Sequence, residues 1–323
     1  MIAPTPASSA LAKARVLEAN IAKVMVGKSE AIRLSLIPLL CRGHLLLEDV
    51  PGIGKTTLAK SIARSIDSDF RRIQFTPDLL PLDVTGAGVY NQKTQDFEFK
   101  PGPVFTNVLL ADEINRATPR TQSSLLECME EFQVSVDGHT HPLGDFFFVV
   151  ATLNPVEQTG TFPLPETELD RFMLRLQLGY PSEVEEAAIF DRQARRHPLE
   201  DLVPVLRKED VREMRVAIPE VRIDDSIKAY AIQIVRRTRQ HPDLALGAGP
   251  RGTLAFLRAA QALAFLSESS FVTPDHVKRL AGPVLGHRIV VKPQASLRGT
   301  TGERIVNSIL DQVAVPVGPD ERS

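Results

Sequence analysis

Cysteine is scarce in this chain. Only Cys41 and Cys128 occur among 323 residues, far apart and without clustered histidines, which argues against a disulfide framework or a zinc site and fits a reducing compartment. Both read as buried small hydrophobes. A surplus of charge is also missing. Against 40 Asp and Glu stand 38 Lys and Arg, a net of −2, so the basic footprint of a dedicated nucleic-acid binder is absent. No apolar run approaches the roughly 20 residues that a spanning helix needs. The longest candidate, residues 34–47, is broken at Arg42, Gly43 and His44. The first nine residues are rich in Pro, Ala and Ser and read as a frayed tail rather than a secretion signal. At 43% hydrophobic and 24% charged residues, a globular protein of the cytoplasm with no membrane span is expected.

What the chain does have is one stretch around which the rest is organised. An apolar run, Leu45-Leu46-Leu47, leads into Glu48-Asp49-Val50-Pro51-Gly52-Ile53-Gly54-Lys55-Thr56-Thr57. An amphipathic segment follows, with Leu58, Ile62 and Ile66 four apart. Strand, glycine-rich turn and helix in this order aim backbone N–H groups at one point, which favours an anion. Pro51, Gly52, Ile53, Gly54, Lys55, Thr56 and Thr57 form the predicted phosphate cradle, with Lys55 reaching the outer phosphates and the Thr56 hydroxyl available to Mg²⁺. The full phosphate-loop pattern has glycine where Asp49 stands; a side chain there can face away from the phosphates, so nucleotide binding is still expected.

Alternation of apolar runs with helical segments predicts a parallel sheet covered on both faces. Strands are expected at residues 45–47, 72–75, 108–111, 146–151 and 173–178, and helices at residues 11–24 and 29–40. Residues 86–103 and 132–141 read as β-hairpins, the second turning at Asp137-Gly138. After Pro181 the pattern becomes helical, at residues 183–196, 208–214, 225–240, 250–266 and 273–286. The expected organisation is an α/β nucleotide-binding core over residues 1–181, a smaller all-α domain over residues 182–316, and a mobile tail from 317 to 323.

Two further strand ends carry chemistry. Val108-Leu109-Leu110-Ala111 runs into Asp112-Glu113. A carboxylate at the end of a buried strand needs a cationic partner. Asp112 suits the Mg²⁺ shell, while Glu113 suits orienting and deprotonating a water aimed at a γ-phosphate. The strand at 146–151 ends in Leu153-Asn154-Pro155, placing an amide at the carboxyl edge, where ligands of open α/β sheets bind; Asn154 could hold the same water from the other side.

These residues, together with Asp112-Glu113-Ile114-Asn115-Arg116-Ala117, Ala151-Thr152-Leu153-Asn154-Pro155-Val156-Glu157, Leu164-Pro165-Glu166, Leu169-Asp170-Arg171-Phe172 and Gly247-Ala248-Gly249-Pro250-Arg251, resemble the MoxR family of AAA+ ATPases over residues 26–291. The resemblance implies a five-stranded parallel core with two β-hairpin inserts, a helical lid, and ATP between them with Val26 and Gly27 near the adenine. It implies that Asn154 is the first sensor, that Arg251 is the second and contacts the γ-phosphate, and that Arg171 is an arginine finger entering a neighbouring subunit. A ring, hexameric by analogy, follows, and its clients by analogy carry a von Willebrand factor A domain or bind metal cofactors. Arg251 would sit in the first turn of its helix, an odd place for a cation given the dipole, which an anionic ligand would explain. An ion pair of Arg171 with Asp170 or Glu168 is the plainer alternative.

The expected function is a chaperone-like, ATP-driven remodeller of client proteins. A DNA-translocating motor and a slow ATP-binding switch are the alternatives. Lys93 and Lys100 on the first hairpin are balanced by Asp96 and Glu98, which disfavours DNA. His139-x-His141 is a weak metal candidate without an accompanying acid. Arg195-Arg196 and Arg236-Arg237-Thr238-Arg239 read as solvated helix faces.

Overall fold

The computed structural model describes residues 6–155, 160–194 and 196–316. Its first two helices, α1 (Pro6–Ala22) and α2 (Ser29–Leu40), precede strand β1 (Leu45–Glu48), helix α3 (Lys55–Ser65), β2 (Phe70–Gln74) and the short α4 (Pro81–Thr85). A hairpin of β3 (Gly86–Asn91) and β4 (Asp96–Pro101) follows, then β5 (Val108–Asp112) and α5 (Pro119–Glu131). A second hairpin, β6 (Gln133–Val136) and β7 (His139–Pro142), leads to β8 (Phe148–Leu153), the one-turn α6 (Glu166–Leu169) and β9 (Leu174–Leu176).

The order β2-β5-β8-β1-β9, parallel throughout, makes one five-stranded sheet. Alternate residues of each strand point to opposite faces. Leu45, Leu47, Val108, Leu110, Phe148 and Val150 enter one apolar core with α1, α2, α3 and the C-terminal helices. Leu46, Leu109, Ala111, Val149 and Ala151 enter another with α5. Burial on both faces is why these strands are nearly continuous in apolar residues. Because the strands are parallel, their carboxyl ends lie along one edge, with Gln74 in register with Asp112 and Glu48 with Leu153.

The C-terminal part holds α7 (Glu183–Gln193), α8 (Lys208–Ala217), α9 (Asp225–Thr238), α10 (Pro250–Leu266), α11 (Pro274–Leu285), α12 (Pro293–Leu297) and α13 (Gly302–Gln312). It is helical but not purely so, since β10 (Leu244–Leu246) pairs antiparallel with β11 (Val290–Val291). Strands this short carry too few residues for alternation to register. Helix α13 was not foreseen, although Ile305, Val306 and Ile309 bury one side of it. Strand β9 is shorter than its apolar run; Met173 and Leu178 are buried outside it. Helices α8 and α10 pack on α2, so the lid core and one sheet face are continuous.

Both hairpins form where the sequence predicts them. His141 stacks on Phe99 with ring centroids 3.9 Å apart, and among the described residues neither His139 nor His141 belongs to a group of three potential metal ligands. Thr238 is buried, bonded to Val235 O and Ala248 N, which corrects its reading as part of a solvated face. Arg236 and Arg237 are exposed as expected, while Arg195 and the 317–323 tail lie outside the described residues, as do Val156 and Glu157.

The His44 ring ties the start of β1 to β8 and to α5. Its Nδ1 accepts from the Val149 amide at 3.0 Å, which puts the proton on Nε2, donated to Met129 O at 3.0 Å. Burial pushes this imidazole down to about 4. The neutral form is therefore the folded one, and its stabilising effect is complete above the unfolded value of 6.5 and lost as pH falls toward 4. Roughly 3 kcal/mol is at stake. Urea unfolding should show stability declining from pH 7 to 4.5, with a shallower decline in His44→Asn; an equal slope in the variant would contradict this assignment.

Candidate functional site

Helix α3 follows Gly54, whose φ of +96° is left-handed, and among the described residues no side chain caps its first turn. Its leading N–H groups therefore have no intrahelical partner and face the loop. Gly52 has φ +85°, yet a Cβ there would meet no atom within 4 Å. Backbone conformation, not crowding, is what calls for glycine at this position. Lys55, at the first position of α3, is buried, and its ammonium donates to Asp49 O and, at 3.2 Å, to Val50 O. Burial lowers the pKa of Lys55, while nearby Asp49, Asp112 and Glu113 oppose that shift. An anion in the cradle would restore the preference for the charged form. Thr56 is half-buried beside it.

Asp49 directs its carboxylate away from the cradle. Its carboxylate accepts three backbone N–H groups, from Val50 at 2.9 Å, Leu178 at 2.9 Å and Gly179 at 2.8 Å. The loop is thereby tied to the chain that leaves β9 for α7. A cavity of about 370 Å³ opens between the two. Val24, Met25, Val26 and Ile53 form an apolar side, Gly52, Gly54 and Thr57 the loop side. Pro51 lines it too, with Tyr180 and Ile189 opposite. Gly27, at φ +71°, admits the Glu185 side chain, which any Cβ would displace. An apolar slot beside uncapped N–H groups suits a planar base attached to phosphates.

The acid pair lies along the same sheet edge. Asp112 is buried, accepting from Thr152 Oγ1 at 2.6 Å and from Arg72 at 2.7 and 3.1 Å. Glu113 has φ +55°, a left-handed conformation rare outside glycine, in which its own N–H donates to Thr152 Oγ1 at 2.8 Å. Its carboxylate accepts from Gln74 at 2.7 Å and Arg116 at 3.0 Å. Arg72 donates to the Gln74 amide oxygen at 2.8 Å, so the amide nitrogen must be the group that faces Glu113. Asn154 is buried two residues beyond Thr152. Arg72, Gln74 and Thr152 were not singled out from sequence; only strand order reveals that they share an edge with Asp112.

Arg171 and Arg251 are elsewhere. Arg171 pairs with Glu130 at 2.7 Å rather than with Asp170 or Glu168, and Arg251 pairs with the same Glu130 at 3.0 Å. Both line a cavity that contains no phosphate-loop residue. The structure thus does not bring Arg251 to the Lys55 loop of its own chain, because α10 packs on α2 and starts beside the end of α5. Asp170 is engaged by Arg288, whose buried guanidinium also donates to Phe172 O at 2.6 Å and is pushed down to about 10 by desolvation.

A parallel five-stranded sheet with a phosphate-type loop after β1, acids after β5 and a helical lid defines the class, a P-loop ATPase core of AAA+ type. Residues 44–174 match the model of the ATPase family associated with various cellular activities, and residues 236–309 match the AAA lid domain. The chain is 53% identical to the uncharacterised protein YeaC of Bacillus subtilis, over 92% of this chain and 93% of that one. It is 37% identical to the Chaperone MoxR1 of Mycobacterium tuberculosis, over 92% and 81% respectively. A solved structure from Cytophaga hutchinsonii superposes with a TM-score of 0.89 at 38% identity, covering 97% of each chain. The chain belongs to the MoxR family of AAA+ ATPases.

Thr152→Val keeps the shape of the side chain but leaves Asp112 Oδ1 and the Glu113 N–H without their shared hydroxyl. A loss of about 1–3 kcal/mol in unfolding free energy is expected, with ATP turnover falling more than ATP affinity. Unaltered turnover would show that the hydroxyl does not hold the acid pair.

Proposed function

We propose that this protein binds ATP with Mg²⁺ at the Lys55 loop and hydrolyses it within a ring of its own copies, hexameric by family analogy. The observation that carries the reading is the convergence of the uncapped start of α3, Lys55 and the tethered Asp112–Glu113 pair on one sheet edge. In this reading the N–H groups from Gly52 to Thr57 cradle the phosphates. Val26 and Gly27 flank the base, and Pro51 and Ile53 shape the loop. Lys55 exchanges its carbonyl partners for phosphate oxygens, which are better acceptors for an ammonium. Thr56 and Asp112 would hold Mg²⁺, which would supply neutralisation of phosphate charge. Glu113 takes the proton from the attacking water, with its carboxylate aimed by Gln74 and Arg116. Asn154 holds that water from the other strand end.

Arg171 and Arg251 line a face remote from their own loop, which supports their acting on the triphosphate of a neighbouring subunit. An arginine supplied in this way contributes on the order of 10³–10⁵ in rate. An isolated subunit then turns over slowly, and hydrolysis is tied to assembly. The work done is remodelling of a client protein in the cytoplasm, chaperone-like, with proteins carrying a von Willebrand factor A domain as the client class. The relative named Chaperone MoxR1 and the absence of excess basic charge support a protein client over DNA. Among the described residues no helix is long and apolar enough to cross a membrane.

Glu113→Gln should keep ATP affinity within a few-fold and lower turnover at least about 100-fold, so that ATP stays bound after gel filtration. Turnover at the wild-type rate would remove Glu113 from the chemistry.

A further inference from the structure

The cavity around Arg171 and Arg251, about 220 Å³, gathers five arginines against two acids, Glu130 and Asp170. Asp170 is occupied by the buried Arg288. Glu130, the penultimate residue of α5, is divided differently. Its Oε2 takes Arg171 Nη1 at 2.7 Å, and its Oε1 takes Arg251 Nη2 at 3.0 Å. One guanidinium comes from the α6–β9 connection of the core and the other from the first turn of α10 in the lid. Arg171 is fixed further by Leu126 O at 2.9 Å.

Without a shared carboxylate these two cations would repel each other and swing through many rotamers. With it, each is held by one edge, and a guanidinium has five N–H donors, so others remain for an anion. The Arg171 side chain is 28% exposed and that of Arg251 is 46% exposed, which leaves both reachable from outside. We propose that Glu130 is a positioning residue that fixes Arg171 and Arg251 as one clamp, spanning core and lid, for the triphosphate of the neighbouring subunit. This rests on the reading above that the two arginines act across a subunit boundary. It adds a consequence: core and lid must keep their relative placement for the clamp to exist, so lid displacement would open it and stop hydrolysis next door.

The test uses mixed rings of full-length chains. One partner carries Lys55→Ala and donates intact arginines; the other carries Arg171→Ala with Arg251→Ala and donates an intact loop. Each alone should be inactive, and the mixture should regain turnover. Adding Glu130→Ala to the arginine-donating partner is expected to lower the regained kcat about 10-fold with KM within about two-fold. It should shorten retention of ADP with aluminium fluoride by a similar factor. The same change in the arginine-less partner should add nothing, because its targets are gone. Melting curves report folding, and Glu130→Gln, which keeps one acceptor, should fall between Ala and wild type should the alanine variant not fold. Equal regained turnover with and without Glu130 would overturn the proposal, as would a loss that appears whichever partner carries the change. A mixture that regains no turnover at all would overturn the across-boundary reading, and the clamp with it.

Discussion

The uncapped N–H groups at the first turn of α3 are the constraint on which the rest of the site depends. The first N–H groups of a helix have no intrahelical acceptor, and among the described residues no side chain supplies one here. Everything nearby serves to keep that start open and in place. Gly54 turns the chain with a left-handed φ, so no capping side chain occupies the spot. Lys55 is held on the loop's own carbonyls, and the Asp49 carboxylate accepts from the adjacent Val50 amide and from two amides beyond β9.

Around that start, polar groups are arranged by the sheet. Parallel strands bring Gln74, Asp112 and Thr152 to one edge, where a chain of bonds runs from Arg72 to Asp112 and, through Gln74, to Glu113. The chain matters because a carboxylate at the end of a buried strand is costly unless every lone pair is used or a cation arrives. On Asp112 the cationic partner is Arg72. The left-handed Glu113 is local strain that its N–H bond to Thr152 helps to hold, the kind of strain that clusters at functional sites.

Much of this was legible in the sequence, and for identifiable reasons. Strands β1, β5 and β8 are buried on both faces, so their apolar runs stand out without homologues. The loop is visible because glycine, lysine and threonine at fixed spacing between a strand and a helix have few other uses. Asp49 broke the pattern, and where its carboxylate goes is seen only in its bonds to Val50, Leu178 and Gly179. What stayed hidden depended on tertiary neighbours. Gln74 and Arg72 sit on an edge strand whose pattern shows only Ile73 as core, and their importance comes from a register with β5 that no local signal encodes. Glu130 is one of three acids near the end of α5 and looks like ordinary solvated charge. Arg251 was expected at a γ-phosphate, and its pairing with Glu130 stayed hidden because the packing of the lid on α2 is a long-range outcome.

The most direct test of the central claim is ATP affinity measured by calorimetry on Lys55→Ala beside the wild type. The account predicts a loss of about 100-fold with an unchanged melting profile, since the lysine's present partners are loop carbonyls that water can replace. Wild-type affinity in the folded variant would contradict it and place the triphosphate away from the start of α3.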